Sequence, residues 1–62
     1  MICIDKDHHY DLFFVLWNEW LQSKSTWIQI CEKYDLSGND SAFAGAKCKS
    51  EEHLLELKLR LL

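Results

Sequence analysis

Residues 26–46, TWIQICEKYDLSGNDSAFAGA, decide how this chain reads. Trp27, Ile30, Cys31 and Tyr34 fall on one side of a helix, with Ile28 at the edge and Ser25 before it as an N-cap. Tyr34-Asp35-Leu36 breaks that period, and Leu36 is placed to plug the angle between two helices. Ser37 followed three residues later by Asp40 is a shortened capping box, so a second helix is expected to open there, with Ala42, Phe43 and Ala46 on its inner side through Cys48. The small residues Ala42, Ala44, Gly45 and Ala46 permit close packing, although Gly45 costs such a helix about 1 kcal/mol relative to alanine. Helix, tight turn and helix in this order predict a helix-turn-helix-like pair.

The flanking segments extend the helical reading. Before the pair, a helix is expected from about Asp7, whose carboxylate could cap it, to Gln22. Tyr10, Phe13, Phe14, Leu16, Trp17, Trp20 and Leu21 share one broad side of it, opposite Asp11, Asn18, Glu19 and Gln22. Trp17 sits near the middle of this arc and is expected to be buried. After the pair, Ser50-Glu51-Glu52 is a capped start favourable to the helix dipole, and Glu56 with Arg60 forms an i,i+4 pair. Leu55, Leu57, Leu59 and Leu61 alternate with Glu56, Lys58 and Arg60, which is strand periodicity, as is Ile2 with Ile4, so a small sheet joining the two ends is the alternative. Helix is preferred at the C-terminal end because Leu, Glu, Lys and Arg are helix formers and no β-branched residue interrupts them. The expected fold is therefore mainly α, a single small helical domain over residues 1–62. It would hold three to four short helices, with short terminal β-strands as the minor alternative.

Composition limits function. A chain of 62 residues buries only about 60% of the surface its unfolded form exposes, so its stability margin is thin. Three Trp, three Phe and two Tyr are a large apolar payload for that size, and some of the rings are expected to serve a partner. The net charge of −3 lacks the basic footprint of a nucleic-acid binder, and the segment 26–49 has no net charge. If the helix pair did read DNA, Asn39, Ser41 and Lys47 would face the groove, with Asp40 repelling the phosphates. The longest apolar run, Leu12–Trp17, is far short of the roughly 20 residues that span a bilayer, and the first residues do not read as a signal peptide. A cytoplasmic protein with reduced thiols is expected, since three cysteines cannot all pair within the chain.

Few constellations carry chemistry. Cys3, His8, His9, Cys31, Cys48 and His53 are the metal-ligating types, but no Cys-x2-4-Cys knuckle is present, so a zinc-stabilised mini-domain is only a third reading. Cys48 between Lys47 and Lys49 is the one thiol with local positive charge. Two glycines cannot build a phosphate loop, and no nucleophile elbow is present. No enzyme activity, cofactor or metal is expected. The sequence reads best as a non-enzymatic protein-binding module, a regulator or inhibitor acting through an aromatic- and leucine-rich helical surface. Trp20, Trp27, Leu55, Leu59 and Leu62 are the expected contact residues, and the C-terminal leucines would also serve a homodimer. A helix-turn-helix DNA-binding regulator is the alternative.

Overall fold

The computed structural model describes all 62 residues, and it departs from the all-helical expectation. Three helices, α1 (Tyr10–Gln22), α2 (Trp27–Lys33) and α3 (Glu51–Leu61), pack with a small sheet of β1 (Ile2–Ile4), β2 (Ser37–Gly38) and β3 (Ala46–Cys48). The sheet is antiparallel in the order β1-β3-β2, with Ile2 opposite Cys48, Ile4 opposite Ala46 and Gly38 also opposite Ala46. The molecule is a small α+β domain and not a helical bundle.

The departure lies in residues 37–48, where the sequence predicts the second helix of the pair. The first half of the pair behaves as expected: α2 forms, Asp35 turns the chain in the left-handed region at φ 57°, and Leu36 is buried. Its cap is Thr26, one residue later than expected, in a reciprocal capping box with Gln29. Past Leu36 no second helix exists. Ser37–Gly38 is a strand, Ala42–Ala44 a single 3₁₀ turn, and Ala46–Cys48 the central strand. Gly45 explains the break. It adopts φ 74° and ψ −154°, a region essentially confined to glycine, and a Cβ there would collide with the main-chain oxygen of Ile4. A helix through this position is replaced by a sharp exit that sends the chain out extended, alongside β1. Gly38 permits a second close approach, since a Cβ there would sit 2.5 Å from the Sγ of Cys31.

Both termini also refine the expectation. The Ile2–Ile4 alternation is a strand, but its partner is Ala46–Cys48 and not the C-terminal leucines, which are helical behind a Ser50 cap donated to by the His53 N–H. α1 begins three residues after Asp7. Its N-cap is His9 at φ 57° with no side-chain cap, and the preceding turn is tied instead by the Asp5 carboxylate, which accepts the N–H groups of Asp7 and His8.

One core cluster draws on every element except β2, with Ile4, Leu12, Leu16, Trp27, Cys31, Cys48 and Leu57 nearly or wholly excluded from solvent. Trp27 is its largest member, and its indole N–H donates to the Gly45 carbonyl at 2.9 Å, satisfying a buried donor and holding the turn before β3. Trp17, expected in the core, is only half-buried; the innermost ring of α1 is Phe13. The core lies against Leu12, Phe13 and Leu16, so the helix is rotated relative to the centre of its aromatic arc.

Candidate binding surface

Rotation of α1 leaves half of its apolar arc uncovered. Tyr10, Phe14 and Leu21 are exposed, Trp17 stands at the boundary, and only Phe13, Leu16 and Trp20 turn toward the interior. Across from Trp17 the 3₁₀ turn presents Phe43, which is 81% exposed although its neighbour Ala42 is buried. A three-residue turn anchored by one small side chain must throw the next side chain outward, and here that side chain is an aromatic ring.

Trp27, Phe13, Trp20, Trp17 and Phe43 form a continuous series from core to surface, and Tyr10 with Phe14 makes a separate tilted pair. Trp27 meets Phe13 and Trp20 edge-on at 6.0 and 6.1 Å, Trp17 meets Trp20 and Phe43 at 5.2 Å each, and Tyr10 lies 5.8 Å from Phe14. Edge-to-face contacts of this kind add about 0.5–1.5 kcal/mol each beyond buried area and restrain the rings. Between them runs a groove of about 210 Å³ lined by Lys6, Tyr10, Phe13, Phe14, Trp17 and Phe43. Lys6 is the one charged side chain on it and makes no ion pair within the chain. The Lys6 turn is held by Asp5, which also binds His8 Nδ1 at 3.0 Å. The Asp7 N–H first, and then the His8 side chain, hold the Asp5 carboxyl below its ordinary range, so it stays ionised and the turn stays tied.

A second exposed apolar surface lies on α3. Leu54 and Leu57 face the core while Leu55, Leu59 and Leu62 are at least 59% exposed, so this helix is apolar on two sides. Beside the outer stripe a groove of about 260 Å³ is lined by Ile2, His9, Glu51, Leu54, Leu55 and Lys58.

The expected site residues are thus divided. Leu55, Leu59 and Leu62 lie together on the outer side of α3. Trp20 is half-buried within the ring series, and Trp27 is in the core with its N–H occupied, so Trp27 has no surface to offer a partner. Tyr10, Phe14, Trp17 and Phe43 do offer surface, whereas periodicity alone sets Trp17 in the core and Phe43 on an inner helix side. The one available signal was the width of the α1 arc, more than a neighbouring helix covers. Of the groove-facing residues in the DNA-reading alternative, Asn39 and Ser41 occupy the loop after β2 and Lys47 lies on β3. Asn39 and Lys47 line a polar depression with Ser37 and Gly45 that does not include Ser41, and no recognition helix carries the three.

The other chemistry-bearing side chains are dispersed. No three of the cysteines, histidines and carboxylates converge as metal ligands would. Cys48 is fully buried with its Sγ 3.3 Å from the Ser50 carbonyl, so the flanking lysines do not make it an accessible nucleophile; Lys49 pairs instead with Asp35. Burial pushes the Cys31 thiol up, which disfavours its thiolate. His53 sets its Nε2 2.8 Å from the Tyr34 carbonyl, bracing α3 against the end of α2. No helix is long and apolar enough to cross a membrane. No known protein family, curated protein or solved structure matches this chain.

Proposed function

We propose that this protein is a small non-enzymatic binding module that recognises a protein segment through the aromatic groove between α1 and the 3₁₀ turn, acting as a regulator or inhibitor by occlusion. The observation that carries the reading is Phe43. A phenylalanine 81% exposed, facing Trp17 across a groove walled by Tyr10 and Phe14, gives a chain of this size a rigid apolar recess. Aromatic rings present large contact area at small entropic cost, which is why they dominate interaction hot spots. The groove is too narrow for the 300 Å³ or more typical of small-molecule sites but suits one or two apolar side chains. Lys6 at its edge adds a preference for a carboxylate next to that apolar anchor.

A random-peptide display selection against the protein tests this, with counter-selection against a Phe14→Ser, Phe43→Ser variant. Enriched peptides should share an apolar anchor beside Asp or Glu and should lose binding to the variant at least about tenfold, while the variant stays cooperatively folded at a cost of about 1–3 kcal/mol from the two lost ring contacts. Absence of enrichment, or enrichment indifferent to these two rings, would overturn the reading.

A further inference from the structure

The outer side of α3 is separate from the aromatic groove and calls for its own occupant. We propose that it is a second copy of this chain, with the two α3 helices antiparallel across a two-fold axis. Three observations select this occupant. First, the charges of α3 are graded along it: Glu51 and Glu52 open the helix, Glu56 lies at its middle beside Arg60, and Lys58 and Arg60 close it. These two cations are exposed or half-buried, and their pairs with Asp11 and Glu56 are long, at 4.0 and 3.8 Å. An antiparallel crossing sets the acidic start of each helix toward the basic end of the other and opposes the helix dipoles; a parallel one sets like against like. Second, the patch is self-complementary, as a two-fold interface requires, because it carries both the projecting leucines and, alongside them, the groove of about 260 Å³ that receives leucines from the other copy. Third, Leu55, Leu59 and Leu62 follow the i, i+4, i+7 spacing of a helix–helix seam, and Leu59 is 78% exposed with nothing in its own chain to cover it.

The size of the patch sets the affinity. An 11-residue helix is about 16 Å long and about 10–12 Å across, so pairing two of them buries an area at the low end for specific complexes. A contact of that size makes a weak, transient dimer, so the association is sought up to millimolar protein.

Sedimentation equilibrium under reducing conditions, from low micromolar to millimolar protein, tests the association. The parent should fit a monomer–dimer equilibrium, and Leu59→Lys should weaken it at least about tenfold with an unchanged helical spectrum. Because Leu59 is exposed, a variant that fails to fold is not expected; Leu59→Gln is the substitute if it does. The geometry is tested in a Cys3→Ser background with Leu55→Cys and, separately, Leu59→Cys protein under mild oxidation. Antiparallel pairing about Leu59, the middle of the three-leucine seam, sets the two positions 59 face to face and the two positions 55 about 12 Å apart along the axis, so the 59–59 disulfide should form and the 55–55 one should not. A parent that stays monomeric throughout, one that assembles beyond a dimer, or cross-linking that favours 55 with 55 would each overturn the proposal.

Discussion

Glu19 and Tyr34 show how one polar contact ties two helices. The Tyr34 hydroxyl donates to Glu19 Oε1 and Lys33 Nζ lies 3.0 Å from Glu19 Oε2, so α1 and the end of α2 meet through a carboxylate that lies among the polar residues of α1. Partial burial pushes the Glu19 carboxyl up, but the hydrogen bonds from Tyr34 and Lys33 outweigh it and leave the group below its ordinary value. A carboxyl depressed in the folded state contributes stability above its unfolded pKa and loses it as pH falls through the folded one. This contribution is therefore whole at neutral pH and is lost in acid, as pH falls past the ordinary glutamate value of about 4.3 and through the lower one Glu19 has when folded. Tyr34 has the opposite sign: burial, and then Glu19, push its phenol up, so its share is complete below about pH 10 and lost as pH rises further. Tyr34→Phe should cost about 1–2 kcal/mol at neutral pH by leaving Glu19 short of a donor. Chemical denaturation of parent and variant from neutral pH into acid should show the gap closing as Glu19 is protonated. Curves that stay parallel down to pH about 3 would remove the contact from the account.

At the scale of elements, Gly45 converts what reads as a helix into a turn and a strand. Ala42, Ala44 and Ala46 are good helix formers, yet the backbone at Gly45 is left-handed and its neighbour across the sheet is the Ile4 carbonyl. Gly45→Ala should therefore destabilise by about 3 kcal/mol or more, through backbone strain and a collision that backbone cannot relieve, offset by less than about 1 kcal/mol from the unfolded chain. Were residues 41–48 a helix in solution, the same substitution would stabilise by about 1 kcal/mol, so the sign of the change in melting midpoint decides between the two architectures.

At the scale of the whole molecule, the elements hold one another. An isolated helix shorter than about 12–15 residues is marginal in water, which puts α2 and α3 out of reach of independent stability and α1 near the limit. A chain of 62 residues has a total stability of roughly 3–9 kcal/mol. Ile4, wholly excluded from solvent at the centre of the cluster, lies on a strand that meets its partner only across most of the chain length. Ile4→Ala should cost about 2–5 kcal/mol and take the helices with the sheet, since no sub-part retains a core. Far-UV and near-UV circular dichroism should lose signal together on heating this variant, at a midpoint well below the parent's. A helical signal that survives loss of the near-UV signal would show that α1 and α3 pack without β1.

What the sequence by itself determined was local. α1 ends at Gln22, α2 occupies most of its expected span, Asp35 turns the chain, Leu36 plugs the angle, and Ser50 caps a leucine-rich helix. Each of these follows from periodicity and capping, which act over one or two turns of chain. Ile2 and Ile4 alternate as a strand does, but two residues support this only as a minor alternative to an all-helical fold; the strand's partner lies more than forty residues away at Ala46–Cys48, and no local signal carries that distance. The tertiary structure alone decided that Gly45 is a left-handed hinge, because its conformation is chosen by the approach of Ile4 rather than by its alanine neighbours. It also decided which half of the α1 arc is covered. Periodicity shows that Tyr10, Phe13, Phe14, Trp17 and Trp20 share a side; only packing against Trp27 and Leu57 sets the rotation that buries Phe13 and leaves Tyr10, Phe14 and, beyond them, Phe43 in solvent. A binding surface is the part of an apolar face that the core does not use, and that remainder is fixed by the global packing of elements far apart in the chain.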